Sequence, residues 1–368
     1  MADTVFLTGS TGYIGASLLQ KWLESSEAKL VLLVRSKRDE GPRARVERVL
    51  VEMYSPAEVA RYSQRIEIVE GDLSSDRFGL DDARYRDLAS RISHIIHCAA
   101  AARFDLDLKD ARKTNVGGTE MILDFGRSCR ALERIDYIGT AYVAGKRSGI
   151  VREDQLDEGQ AHNNTYERSK MEAEKLVRES MRELPVAILR PSIVICDSRT
   201  GRASTHNGFY RAMKMYSLGL LKVVPGNRSG AMDLVPVDYV TEAVHAISRN
   251  PASIGGCYHL TAGLNDATPL EEIAELASRH FKREKFTIVP PAEFMAYFSG
   301  NVDGLGEKER DMINEIILYM PYLSGELEFD NANAVRETGL EAPPVRSYFG
   351  KMAEYIVKRE QQKPSATS

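Results

Sequence analysis

The feature that most constrains the fold is a short apolar run that leads through three closely spaced glycines into a helical pattern. The apolar run is Thr4–Thr8, the glycines fall within Gly9–Gly15, and an amphipathic pattern begins near Tyr13. A strand, a tight turn and a helix in this order form the first half of a βαβ unit. Such units build parallel sheets whose two faces are covered by helices.

Further apolar runs of strand length follow, with helical patterns between them: Leu30–Arg35, Ile66–Glu70, His94–Cys98, Arg134–Ile138 and Val186–Leu189. Their residues are mostly β-branched or aliphatic at both odd and even positions, which is typical of strands buried on both faces. Cys257–Leu260 is a candidate for one more strand. The fold class we predict is α/β, with a doubly wound parallel sheet of the Rossmann type.

The second half of the chain is less regular, and we predict that it adds a smaller C-terminal substrate cap. Residues 1–195 and the re-entrant segment 231–262 form the cofactor-binding domain in this interpretation. The cap consists of 196–230 and 263–360, and 361–368 form a disordered tail. Helical patterns in this half cover Pro236–Ser248, Pro269–His280, Glu307–Tyr319 and Tyr348–Lys358.

The composition argues against several classes of protein. The 368 residues include 49 Lys and Arg against 53 Asp and Glu, so the charge excess of a nucleic-acid binder is absent. The sequence has neither an apolar run of membrane-spanning length nor a charged-then-apolar leader at its amino terminus. Its four cysteines form no CxxC pair, so neither a disulfide framework nor a metal site is indicated. These observations predict a cytoplasmic protein.

The glycine segment has the spacing and context of a dinucleotide-binding loop. Its glycines permit a tight turn and close approach to a pyrophosphate, and the helix that follows offers free N–H groups to the phosphates. We therefore predict cofactor contacts from Gly9, Thr11, Gly12, Tyr13, Ile14 and Gly15. Where an NAD-binding unit carries an acidic residue after its second strand, this sequence has Arg35, with Arg45 close behind. Guanidinium groups suit a 2′-phosphate, which favours NADPH.

A second constellation predicts proton transfer. Tyr166 and Lys170 lie four residues apart in a helical pattern, so the phenol and the ammonium share one face. A neighbouring cation favours the phenolate, and we expect it to lower the pKa of Tyr166. Thr140, at the end of the fifth strand, supplies a hydroxyl for a substrate oxygen. Asn115 is placed to order a water chain behind the lysine.

With these residues in place, the sequence resembles the extended short-chain dehydrogenase/reductase family. The resemblance includes the glycine loop, Gly71-Asp72-Leu73, His97-Cys98-Ala99-Ala100, Arg190-Pro191-Ser192 and Phe329-Asp330-Asn331. It implies that Asp72 and Leu73 contact the adenine, that Ala99 and Ala100 line the cofactor cleft, and that Pro191, Ser192 and Ile193 face the nicotinamide.

Within this family the sequence is most similar to the fatty acyl-CoA reductases and to thioester reductase domains. The similarity rests on His97–Asp105, Gly139–Gly145, Leu189–Val194 and Asp233–Asp238. It implies an NADPH-dependent oxidoreductase that reduces an acyl thioester, carried by coenzyme A or an acyl carrier protein, to an aldehyde and in some members onward to an alcohol. A homo-oligomer is compatible with this assignment. We expect two departures from these members: the absence of the further carboxy-terminal domain that many alcohol-forming members carry, and the segment Asp197–Gly208, which differs from their usual sequence.

Two other functions remain open from the residues alone. A hydroxyl/ketone oxidoreductase or an epimerase, acting on a steroid-like or nucleotide-sugar substrate, would use the same Thr, Tyr and Lys. A dinucleotide-sensing regulatory protein would not need the Tyr166–Lys170 pair. The spacing of Phe209, Met213, Met215 and Leu218 predicts an apolar face toward the cleft, as an acyl chain would require.

Overall fold

The computed structural model describes residues 3–37, 40–204, 207–299, 306–323 and 325–362. The strands are β1 Thr4–Thr8, β2 Lys29–Val34, β3 Ile66–Glu70, β4 His94–His97, β5 Arg134–Ile138, β6 Gly149–Val151, β7 Val186–Pro191, β8 Ile193–Val194, β9 Val223–Pro225, β10 Ala231–Met232, β11 Leu234–Val235, β12 Cys257–Leu260, β13 Thr268–Pro269, β14 Thr287–Val289 and β15 Leu327–Phe329. The helices are α1 Tyr13–Ser25, α2 Pro42–Val51, α3 Pro56–Ser63, α4 Asp82–Arg91, α5 Leu108–Arg112, α6 Gly118–Ser128, α7 Thr165–Ser180, α8 Gly208–Ser217, α9 Val237–Arg249, α10 Leu270–Phe281, α11 Pro291–Ser299, α12 Glu307–Tyr319, α13 Ala332–Thr338 and α14 Phe349–Gln361.

In this described part of the chain, seven strands form one sheet in the order β12-β7-β5-β4-β1-β2-β3, and all of their pairings are parallel. The strand order reverses between β1 and β4, so the crevice beyond their carboxyl ends is where an open α/β sheet binds its ligand. The predicted doubly wound α/β fold is confirmed, and Cys257–Leu260 does return to the sheet as β12.

Successive side chains of each strand point to opposite faces of the sheet, so every strand contributes to two apolar cores. Helices cover both faces. Val5 and Leu7 of β1 pack with α1 and α9 on one face, whereas Phe6 packs with α4 and α6 on the other. Trp22, at 1% exposure, anchors the first of these cores. The sheet and its helices therefore form a rigid platform for the loops at the strand ends.

A third apolar core lies apart from the sheet and is built from α8, α10, α14 and the segments between them. Most of its residues belong to the predicted cap, but Ile195 comes from the predicted cofactor-binding domain, and Met232 and Leu234 come from its re-entrant segment. The division of the chain into a cofactor-binding domain and a cap stays a prediction. So does the disordered tail, because residues 363–368 lie outside the described ranges.

Candidate active site

The glycine loop leaves β1 at Thr8 and enters α1 at Tyr13. Gly9 has a φ of 76°, and a Cβ at this position would lie 2.7 Å from the backbone nitrogen of Ala99. Glycine is therefore required, both for the backbone conformation and for the close approach to the end of β4. The hydroxyl of Ser10 is buried and has no hydrogen-bond partner in the described part of the chain. A free donor beside the amino terminus of a helix fits the phosphates of a dinucleotide.

Arg45 links the glycine loop to the end of β2. One terminal nitrogen of its guanidinium donates to Thr11 Oγ1 at 2.7 Å, and the other donates to the Arg35 carbonyl at 2.6 Å. Partial burial, followed by the neighbouring charge of Arg35, lowers the pKa of Arg45. The structure thus brings together the two arginines that the sequence predicted for a 2′-phosphate. A phosphate between them would relieve this repulsion of like charges.

Asp72, predicted to contact the adenine, follows β3 at the same edge of the sheet. Its carboxylate accepts hydrogen bonds from the Ser74 backbone nitrogen at 2.8 Å and the Ser74 hydroxyl at 2.6 Å. Partial burial alone would raise the pKa of Asp72, but these bonds outweigh it and the pKa is lowered. Leu73 beside it is buried. Their contact with adenine stays a prediction.

Lys170 is buried on α7, one turn after Tyr166. Its ammonium donates to the carbonyl of Ile138 at 2.9 Å and lies 4.3 Å from the centre of the Tyr137 ring. Burial lowers the pKa of Lys170 to about 8. Tyr137 was not singled out from the sequence, because a tyrosine within a buried strand carries no local signal of a contact with a cation on another element.

The prediction that Lys170 lowers the pKa of Tyr166 is wrong for the protein without a bound ligand. Burial raises this pKa to about 12, and the hydrogen bond with Thr140 only partly offsets the rise. The ammonium of Lys170 binds the Ile138 carbonyl rather than the phenol. Tyr166 is therefore held as a protonated phenol at neutral pH, which is the form that can donate a proton to a substrate oxygen.

Asn115 lies in a π-helical turn, Lys113–Gly117, between α5 and α6. Its side chain accepts a hydrogen bond from the Ala101 backbone nitrogen at 2.7 Å and donates to the Ser169 hydroxyl at 2.9 Å. It therefore connects the loop after β4 to the helix that carries Tyr166 and Lys170. A π-turn inside a helix frequently marks a functional position. The predicted water chain behind Lys170 stays a prediction.

A cavity of about 280 Å³ opens beside Thr140 and Tyr166. Ser192 and Ile193, just after β7, form part of its wall, and Phe209, Met213 and Met215 of α8 form another part. Leu218 was wrongly assigned to this face. Helix α8 ends at Ser217, and Leu218 lies beyond it with 48% of its surface exposed.

The aromatic side of the cavity was missed by sequence reasoning. Phe104 lies with its ring centre 5.8 Å from Tyr166, 5.0 Å from Tyr319 and 5.4 Å from Tyr322. Tyr322 donates a hydrogen bond to Glu167, the neighbour of Tyr166, at 2.6 Å. Phe104 comes from the loop after β4, Tyr319 is the last residue of α12, and Tyr322 lies in the 3-10 turn Met320–Leu323 that follows. No periodicity relates these segments. The side chains that line the cavity are mainly apolar.

The sheet order, the glycine loop and the Thr140–Tyr166–Lys170 cluster together define the extended short-chain dehydrogenase/reductase class, whose Rossmann domain binds a nicotinamide dinucleotide. Residues 7–244 match the model of an NAD-binding family described as male sterility protein. The chain belongs to this family, and the resemblance expected from the sequence is confirmed.

Several known proteins are similar to this chain. The non-canonical nonribosomal peptide synthetase cpsA of Aspergillus campestris is 34% identical over 274 residues, which are 71% of this chain and 26% of that protein. The putative fatty acyl-CoA reductase CG8303 of Drosophila melanogaster is 28% identical over 273 residues, 64% of this chain and 50% of that protein. The chain therefore spans half or less of the length of these two relatives.

Among solved structures, the terminal R domain from the myxalamid PKS-NRPS biosynthetic pathway superposes with a TM-score of 0.84 and 27% identity, covering 98% of this chain and 92% of that domain. A UDP-glucuronic acid 4-epimerase from Bacillus cereus in complex with UDP-glucuronic acid and NAD superposes with a TM-score of 0.69 at 16% identity, covering 97% of this chain and 99% of the epimerase. The second likeness shows the shared fold alone.

In the part of the chain that the structure describes, no helix is both long and apolar enough to cross a membrane.

Proposed function

We propose that the protein is an NADPH-dependent reductase of acyl thioesters. The observation that carries this proposal is the apolar cavity that begins at Thr140 and Tyr166 and continues along α8. An acyl chain in this cavity would place its thioester carbonyl beside the proton donor. The relatives that are named as acyl-CoA reductases and as peptide synthetases support a thioester, carried by coenzyme A or by a carrier protein, as the substrate.

The cofactor, when bound, supplies a hydride to the carbonyl carbon. The residues of the chain then act on the carbonyl oxygen. Thr140 and Tyr166 donate hydrogen bonds to it, and these strengthen as negative charge develops on the oxygen. Tyr166 passes its proton to that oxygen, and the nearby charge of Lys170 stabilises the phenolate that remains. The thiol leaves when the resulting hemithioacetal collapses to an aldehyde.

This mechanism requires no thiol of the enzyme. Burial raises the pKa of Cys98, the cysteine close to Lys170, to about 12, so at neutral pH it is a thiol and not a nucleophilic thiolate. The site therefore differs from that of an acylating aldehyde dehydrogenase, in which a cysteine attacks the acyl group.

The mainly apolar lining of the cavity suits an acyl chain better than the polar sugar of a nucleotide sugar. Arg211 forms an ion pair with Glu315 at 2.7 Å, and Arg202 lies 3.6 Å from the carboxylate of Glu52. These two arginines do not distinguish the substrates, because a nucleotide sugar and coenzyme A both carry a diphosphate. The test is to incubate the protein with a mixture of NADPH and NADP⁺ and with a fatty acyl thioester, a nucleotide sugar or a hydroxysteroid under identical conditions, and to analyse the products. We expect NADPH oxidation and free thiol with the thioester. Turnover of either other substrate, with none of the thioester or its aldehyde, would establish the alternative function.

NADPH should bind more tightly than NADH because Arg35 and Arg45 face the 2′-phosphate. We expect Arg35→Glu to reduce the difference in binding free energy between the two cofactors by about 1.5–3 kcal/mol, the size of a charge-assisted hydrogen bond. Titration of both nucleotides by fluorescence or calorimetry measures this difference. Arg43→Glu, at an exposed position on α2, the helix that carries Arg45, is the matched control. Equal affinity of the unmodified protein for NADH and NADPH would overturn the assignment.

A further inference from the structure

A buried carboxyl group with no role in the mechanism above lies one side chain away from the cavity. Asp233, between β10 and β11, is 4% exposed. Its Oδ1 accepts hydrogen bonds from the Ser192 hydroxyl at 2.5 Å and from the Ala262 backbone nitrogen at 2.9 Å. Its Oδ2 is buried and has no partner in the described part of the chain. A buried carboxyl oxygen without a partner is costly and calls for an explanation.

Ser192 and Asp233 each line a different cavity. Ser192 lines the apolar cavity together with Thr140 and Tyr166. Asp233 lines a second cavity of about 210 Å³, whose wall also includes the exposed Lys146. The Ser192–Asp233 pair therefore lies between the reaction cavity and a polar cavity through which water can restore a proton.

Reduction of a thioester requires proton transfer at two different atoms. Tyr166 serves the carbonyl oxygen in the proposed mechanism, but the sulfur of the departing thiol also acquires negative charge when the carbon–sulfur bond breaks. An alkyl thiol with a pKa of about 8.5 leaves faster if it is protonated as it departs. The residues assigned so far include no donor for the sulfur.

We propose that Ser192, positioned and recharged by Asp233, donates the proton to the leaving thiol. The inference rests on the proposed thioester reduction. In the collapse of the hemithioacetal, the hydroxyl proton returns to the Tyr166 phenolate, the carbon–oxygen double bond forms, and the carbon–sulfur electron pair moves to sulfur. Sulfur takes the Ser192 hydroxyl proton, and Ser192 takes the carboxyl proton of Asp233. Asp233 then takes a proton from water, so one thiol, one aldehyde and one consumed proton balance the step.

The electrostatics of Asp233 suit this role. Burial raises its pKa to about 6, although the hydrogen bonds from Ser192 and Ala262 oppose the rise. A protonated fraction is therefore available near neutral pH. When Oδ1 carries the carboxyl proton, its hydrogen bond with Ser192 reverses direction, and the serine hydrogen is free to point into the cavity.

The test compares two thioesters of the same acyl chain, one with an alkyl thiol and one with an arylthiol. The arylthiol has a lower pKa and leaves without a proton donor. With Ser192→Ala, we expect kcat for the alkyl thioester to fall by about 100-fold, the contribution of one general acid, and kcat for the aryl thioester to change little. Asp233→Asn should give the same selective loss while it keeps the size of the side chain. Rapid-mixing traces of the variants should show NADPH oxidation ahead of thiol release with the alkyl substrate.

The matched control is Ser198→Ala. Ser198 also donates to a carboxylate, that of Asp238 at 2.5 Å, but Ser198 does not line the reaction cavity. Its loss should leave both rates unchanged. If Ser192→Ala and Asp233→Asn lowered both rates by the same factor, or neither, the second proton donor would be refuted while thioester reduction stood. If the unmodified protein reduced neither thioester, the proposed function itself would fail.

Discussion

Replacing Tyr166 by phenylalanine is expected to lower thioester turnover by about 100- to 10,000-fold, because the substitution removes the proton donor and keeps the ring. Burial holds the phenol protonated, with a pKa of about 12, so the unmodified side chain is ready to donate throughout the neutral range. The packing of this ring against Phe104 should persist in the variant. Cofactor affinity is therefore expected to stay nearly normal. Steady-state NADPH oxidation and direct nucleotide titration measure the two quantities.

Tyr258→Phe is the control for removal of a buried phenol hydroxyl. Tyr258 donates to the Ser253 carbonyl at 3.1 Å, on the edge strand β12, and takes no part in the proposed site. Its variant should retain near-normal turnover. Near-normal turnover of Tyr166→Phe itself would show that another group donates the proton.

The second large expected effect is a loss of stability when the carboxylate of Glu174, on α7, is removed. Its carboxylate receives two hydrogen bonds from Arg190 of β7, at 2.6 and 2.9 Å, and both side chains have 0% exposure. Arg190 also donates to His259 Nε2 at 3.1 Å, while Nδ1 of that histidine donates to the Asp330 carbonyl at 2.8 Å. We expect Glu174→Ala to lower the free energy of unfolding by about 3–5 kcal/mol, because it leaves a buried arginine unpaired. Urea denaturation measures the change.

Glu172, two residues earlier on the same helix, is the matched control. It binds Arg112 and Arg168 near the surface, and its loss should cost no more than about 1 kcal/mol. Burial alone would raise the pKa of Glu174, but the charges and hydrogen bonds of Arg190 and Arg178 together outweigh it, and the pKa is lowered. The contribution of the Glu174 carboxylate to the free energy of unfolding is therefore complete at neutral pH, and it is lost as the pH falls below the ordinary carboxyl range. Equal destabilisation by the two variants would contradict this account of the buried pair.

The parallel sheet could be predicted closely from the sequence because each of its strands is a local apolar run. Thr4–Thr8 and Cys257–Leu260 have the predicted bounds, and β7 continues only two residues further than expected. The predicted helix Pro236–Ser248 is α9, displaced by one residue, since Pro236 is the residue before its first turn. Periodicity and turn chemistry are local properties, so the sequence expresses them directly.

The cavity was predicted less completely because its walls meet only in the folded chain. Strand β15 pairs with β6 across nearly half of the sequence, and Tyr322 binds Glu167 from the 3-10 turn that follows α12. Short strands of two or three residues have no alternating pattern to detect. The pKa of Tyr166 was predicted in the wrong direction because helical spacing shows that Lys170 is near but does not reveal burial or the competing Ile138 carbonyl.

The proposed reaction delivers a hydride from NADPH to the carbonyl carbon of a thioester at the Thr140–Tyr166 end of the apolar cavity. Its most direct test uses NADPH with deuterium at the transferable position, a fatty acyl thioester and mass analysis of the product. We expect an aldehyde, or its alcohol, with deuterium on the former carbonyl carbon, released together with free thiol. Release of thiol with no deuterium in the acyl product would contradict it.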